Sequence, residues 1–87
     1  MSGYTTGTWG PYLINGNATA YWTLSWGARP DHFMWITAEP MYPHNSVQVI
    51  PGDNWMDENG GIHHNYAVKN LTGNAGAYRV VALWAWP

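Results

Sequence analysis

The sequence predicts an all-β fold, a small antiparallel β-sandwich or barrel of about six strands joined by short hairpins. Three observations carry that expectation. Apolar and polar residues alternate with a period of two in short runs; Gly, Pro, Asn or Asp punctuate the gaps between the runs; and no stretch repeats at the spacing of a helix. With 87 residues the chain makes one domain, 1–87, and a domain of that size buries little more than ~60% of the surface its unfolded chain would expose. Its stability margin is accordingly thin.

The first two runs, residues 7–14 and 18–26, flank Asn15-Gly16, a pair that tolerates the positive φ of a type I′ turn, and are expected to pair antiparallel as a hairpin. In the second of them Ala20, Trp22, Leu24 and Trp26 alternate with Thr19, Tyr21, Thr23 and Ser25, giving one apolar and one polar face. HFMWITA (32–38), rich in aromatic and β-branched residues, lies between GARPD and EPMYPHN, whose prolines interrupt regular structure. SVQVI (46–50) reads as a short strand ended by a PGDN turn. Beyond a polar loop, HHNYAVKNL (63–71) sets Tyr66 and Val68 against Asn65, Ala67 and Lys69. The last run, AYRVVALWAW (77–86), is apolar on both faces: Tyr78, Val80, Ala82, Trp84 and Trp86 on one, Ala77, Val81, Leu83 and Ala85 with Arg79 on the other.

Alternation assigns Trp22, Leu24, Trp26, Tyr66 and Val68 to the core, joined by Trp35 or Phe33 from the facing strand. GNATAY (16–21) and GNAGAY (73–78) match at five of six positions. The shared rules for a turn that runs into a strand account for the likeness, with a remote duplication as the alternative. Asn17-Ala18-Thr19 and Asn70-Leu71-Thr72 fit the glycosylation acceptor pattern, a weak signal in an Asn-rich chain.

Composition narrows the partners. Charged residues are 9% of the chain, against ~25% in ordinary soluble proteins, and Arg29, Lys69 and Arg79 are the only Lys or Arg. So few cations cannot form the basic stripe that phosphate backbones require, and nucleic acid is not an expected partner. The absence of cysteine excludes disulfides and thiolate metal sites, leaving packing or oligomerisation to hold a small domain together. No apolar run approaches the ~18 residues of a membrane span. The opening MSGYTTGTWG lacks the basic start and apolar stretch of a signal peptide, which suits a cytoplasmic chain and equally one exported without a cleavable leader.

The templates for enzymatic chemistry fail. There is no Gly-x-Ser-x-Gly elbow, phosphate-binding glycine loop or His-Glu-x-x-His pair. Ser2, Ser25 and Ser46 are the only serines, and Ser25 lies on the polar side of a strand between two tryptophans. The chain is therefore not expected to be an enzyme. Its densest polar stretch is DNWMDENGGIHHNY (53–66), where Asp53, Asn54, Asp57, Glu58 and Asn59 offer oxygens for calcium. Aligning Gly60 with the invariant glycine of an EF-hand loop puts Trp55 at the first ligand position, however, and His63 and His64, as neighbours on a strand, point to opposite faces. A solvated loop with no metal or other cofactor is the expectation there.

Aromatic surplus is the strongest clue. Seven tryptophans, six tyrosines and one phenylalanine, each covering ~150 to 250 Å², exceed what a thin core can enclose. Trp9, Tyr12, Tyr42 and Trp55 sit beside Gly, Pro, Asn or Asp and are candidates for exposed platforms. Two function classes fit such surfaces. A glycan packs its C–H face on an aromatic ring and hydrogen-bonds to amides, carboxylates and imidazoles around it, for which Trp55, Asp53, Asn54, Asp57, Asn59 and His63, with Tyr42 and Trp9, are the candidate residues. Trp55, following PGDN, is placed near a loop tip. Alternatively the aromatics form the contact of a self-assembling structural subunit. The sequence favours a lectin-like carbohydrate-binding domain, and the doubly apolar last strand adds the expectation of a homo-oligomer that buries Trp84 or Trp86 between subunits.

Overall fold

The computed structural model describes residues 3–27 and 32–87. Its six strands are β1 (Gly3–Ile14), β2 (Thr19–Trp26), β3 (Phe33–Pro40), β4 (Val47–Met56), β5 (Ile62–Asn70) and β6 (Gly76–Trp86). They form two three-stranded antiparallel sheets, sheet I in the order β1-β6-β3 and sheet II in the order β2-β5-β4. The all-β sandwich follows from the period-two pattern, because the strands present apolar faces that the two sheets bury against each other. Of the GARPD turn, positions 28–31, including Arg29, lie outside the described residues, as does Ser2.

Ile14, Tyr78 and Val80 of sheet I meet Tyr66 and Val68 of sheet II at the buried centre, with Trp9, Tyr12, Trp22, Leu24, Ile36 and Val49 packed around them. Trp26 stacks on Trp84 with ring centroids 5.2 Å apart, and Trp84 meets Trp9 edge-on at 5.6 Å. The Trp22 Nε1–H donates to Tyr78 Oη at 2.8 Å, pairing two polar groups that would otherwise be buried at a cost.

The structure corrects the pairing scheme. Residues 7–14 and 18–26 do not form a hairpin: Trp9 of β1 faces Val80 of β6, and Trp22 of β2 faces Tyr66 of β5. The Asn15-Gly16 turn instead carries the chain from sheet I to sheet II, with Asn17 as its left-handed residue (φ 59°) and the Ala18 N–H donating to Asn15 O at 3.1 Å. Gly16 lies against the Gly73 carbonyl with no room for a Cβ. The two turns of like sequence, 16–21 and 73–78, thus pack side by side as crossovers between the sheets. Asn70, fully buried, ties them together: its Nδ2 donates to Asn15 O at 3.2 Å and Asn74 O at 2.9 Å, and its Oδ1 accepts the Thr72 N–H at 2.9 Å. As a glycosylation acceptor Asn70 is inaccessible in the folded chain. Only β4–β5 joins neighbouring strands of one sheet as a short hairpin, so the expected chain of hairpins is replaced by crossovers.

Three side-chain placements also differ. Phe33 and Trp35 point outward, 56% and 62% exposed, while Met34, Ile36 and Ala38 of β3 face the core. The large rings of Trp22, Trp26, Tyr78 and Trp84 already occupy the interior, leaving room opposite β6 for smaller residues. PGDN does not end β4, which continues through a bulge between Pro51 and Asn54 to Met56; the chain reverses at 57–61, where the Gly60 N–H donates to Asp57 O at 3.1 Å. Of Trp84 and Trp86, either of which was expected between subunits, Trp84 is buried inside the chain on the central strand of sheet I, whereas Trp86 is only partly buried.

Candidate functional site

The outward face of sheet II brings polar side chains of three strands together. Because β2 and β4 flank β5, the register brings Tyr21, Ala67 and Ile50 into one row, and Ser25, His63 and Trp55 into another. Between them, Thr23 lies opposite Asn65, and the bulge in β4 returns Asp53 to the same face. Thr23 Oγ1 donates to Asn65 Oδ1 at 2.7 Å, and Asn65 Nδ2 donates to Asp53 Oδ1 at 2.8 Å, so one hydrogen-bonded row crosses all three strands.

A second hydrogen-bonded row runs beside it. His63 Nε2 lies 2.8 Å from Asp57 Oδ2, and its Nδ1 lies 2.7 Å from Ser25 Oγ. An ionised carboxylate only accepts, so Nε2 carries the hydrogen in the neutral ring, leaving Nδ1 to accept from the serine hydroxyl. Asp57 is fixed by the hairpin, its Oδ1 accepting the Asn59 and Gly61 N–H groups at 2.9 Å each. These bonds, that of His63 first, hold the Asp57 carboxyl below the usual aspartate range. The Trp55 ring lies over His63, centroids 4.2 Å apart and 20° from parallel, and is 47% exposed. Tyr21, at 83% exposed, stands on the other diagonal of the same face.

The residues expected from sequence separate into three groups. Asp53, Trp55, Asp57 and His63 share this face, and Asn59 sits at the adjoining hairpin. Asn54 turns to the inner side, where its Oδ1 lies 2.7 Å from His64 Nδ1. Its surroundings are a cavity of about 430 Å³ whose lining includes His32, Met34, Val49 and Tyr66. His32 Nε2 lies 2.7 Å from His64 Nε2, and burial, then the neighbouring His32 and His63, pulls the His64 pKa below its ordinary value. Trp55 is on a strand instead of a loop tip. Tyr42 is exposed in the β3–β4 connection, and Trp9 packs inward against Trp84. Asp53, Asp57 and Glu58 do not converge, and among the described residues no three His, Asp or Glu side chains gather to hold a metal ion.

Tyr21, Thr23, Ser25 and Asn65 join the site although the sequence marked them only as the polar sides of strands. The polar alternation of β2 was the available signal; its pairing beside β5 was the missing step. No protein family, curated protein or solved structure matches this chain.

Proposed function

We propose that this chain is a carbohydrate-binding β domain that receives a neutral glycan on the outward face of sheet II. The observation that carries the proposal is the half-exposed Trp55 ring, stacked on His63 and bordered by the rows Thr23–Asn65–Asp53 and Ser25–His63–Asp57. A ring braced from below offers an apolar platform at little entropic cost, and the neighbouring hydroxyl, amide and carboxylate groups supply the partners that sugar hydroxyls need on leaving water. Asp53 and Asp57 disfavour acidic sugars. Recognition without turnover suits the site, because Ser25 stands on an open sheet face where water has free access, whereas acyl-transfer chemistry relies on an enclosed, preorganised site.

The test is a glycan array followed by affinity electrophoresis in polysaccharide gels, comparing the wild type with Trp55→Ala. Binding should be lost in the variant, while a half-exposed ring should cost no more than about 1 kcal/mol of stability. A wild type that retains no glycan would overturn the proposal.

Self-association is a second role, favoured by a different surface. The outward face of sheet I carries Tyr4, Phe33 and Trp35 in adjacent positions around Leu83 and Ala85. Exposed aromatics concentrated on one face fit an interface between copies, and a multivalent assembly would add avidity to weak glycan sites.

A further inference from the structure

Two exposed rings mark opposite corners of the outward face of sheet II. Tyr21 stands on the β2 edge in the row Tyr21–Ala67–Ile50, and Trp55 stands on the β4 edge in the row Ser25–His63–Trp55. The step from Ala67 to His63 along β5, taken with the crossing from β2 to β4, sets their Cα atoms about 17 Å apart in a regular sheet. The other outward positions of β2, Thr19, Thr23 and Ser25, carry small hydroxyls, so Tyr21 is the one ring on that side of the strand. It is 83% exposed and Ile50 across the row is 40% exposed, while the small Ala67 between them is 7% exposed. That row is a shallow apolar saddle with an aromatic rim. Between the two corners runs the row Thr23–Asn65–Asp53. Its internal bonds use one of the two Asn65 Nδ2 hydrogens and one Asp53 carboxylate oxygen, so an amide N–H and a carboxylate oxygen remain to serve a ligand.

We infer that Tyr21 and Trp55 are the two ends of one track, and that its occupant is an extended, linear, neutral oligosaccharide of several sugars instead of a single sugar. The inference rests on the glycan reading above and adds the length of the ligand to it. A single sugar is no wider than one aromatic ring with its rim, so it covers one platform and leaves the apolar surface of the other in water. A chain that reaches both sets C–H faces on the rings at its two ends and hydroxyls between them. That order matches the face, which offers Tyr21, then the Thr23–Asn65–Asp53 row, then Trp55. Both rings stand on the same side of one sheet, so a straight chain meets both, whereas a coiled chain turns away from the middle row. Two weak contacts on one chain reinforce each other, because the second forms within a complex already held by the first.

Isothermal titration with neutral linear oligosaccharides of the cello-, xylo- and manno-series, as di-, tetra- and hexasaccharides, tests the track. In a series that binds, the hexasaccharide should bind roughly tenfold tighter than the disaccharide, as expected when about 60 Å² of apolar surface is covered at the second ring. Tyr21→Ala should remove most of that gain and leave the disaccharide, held at Trp55, unchanged. Tyr21→Phe should keep the gain, since the ring face and not the hydroxyl makes the contact. Melting temperature should be little changed in both, an 83% exposed side chain having little packing to lose. A hexasaccharide no tighter than the disaccharide, or a gain that survives Tyr21→Ala, would overturn the track while leaving the glycan site at Trp55 standing. Failure of every length in all three series would overturn the track and, together with an empty glycan array, the carbohydrate reading as well.

Discussion

Asp57 binds the β4–β5 hairpin to the face beside it, since one carboxylate receives two backbone N–H groups and the His63 ring. Those bonds favour the ionised form and put its folded pKa below the ordinary aspartate value of 3.8. As pH falls, the unfolded chain takes up this proton first. The stabilisation is therefore complete above about pH 4 and is lost as pH drops through the lower folded value. Thermal melts should fall more steeply below pH 4 for the wild type than for Asp57→Asn, which has no such proton to bind. Parallel acid limbs would show that Asp57 is not held in this way. The same carboxylate fixes the hydrogen on His63 Nε2, so the variant should also release Ser25 and loosen the platform under Trp55.

At the scale of elements, Asn70 at the end of β5 decides how the two sheets are joined. Its side chain makes three hydrogen bonds to the turns that cross between them, and truncation would strand buried backbone groups at ~1 to 3 kcal/mol each. Asn70→Ala should therefore lose about 3 kcal/mol in urea unfolding; a change below 1 kcal/mol would remove Asn70 from this role. Strand existence was legible from sequence because the period of two is local. Strand pairing was not. Asn15-Gly16 has the chemistry of a hairpin turn, but the same residues serve a crossover, and the choice is made by β2 packing its apolar face across from β1 instead of beside it. The faces of β3 were legible as faces, Phe33 and Trp35 on one, Met34 and Ile36 on the other. Which face turned inward depended on the volume left by Trp22, Trp26, Tyr78 and Trp84, a property of the assembled core. The acidic stretch was legible as the densest polar stretch, yet its partners on β2 became visible only once β5 was placed between β2 and β4.

For the whole molecule, the two outward faces differ in kind. Sheet II presents hydrogen-bonded polar rows, whereas the far end of sheet I presents Tyr4, Phe33 and Trp35, with the Arg79–Glu39 pair (3.3 Å) farther along the same face. A strand of eight residues, the length of β3, spans ~26 Å, and three strands side by side cover ~14 Å, so the planar face is roughly 380 Å². Two copies packed on it would bury about 800 Å², short of the ~1,200 Å² of stable interfaces. Association through this face should thus be weak and concentration-dependent, not a permanent dimer. Trp84 is enclosed in its own chain, so the rings of this face that would change environment are Tyr4, Phe33 and Trp35. Sedimentation velocity across the micromolar range should show a mass that rises with concentration in the wild type and stays monomeric in Trp35→Lys. The melting temperature of dilute protein should be little changed in that variant, since an outward ring on a solvated face contributes within about 0.5 kcal/mol. A wild type that remains monomeric throughout would overturn self-association, and a Trp35→Lys chain that still associates would move the interface away from the exposed rings of sheet I.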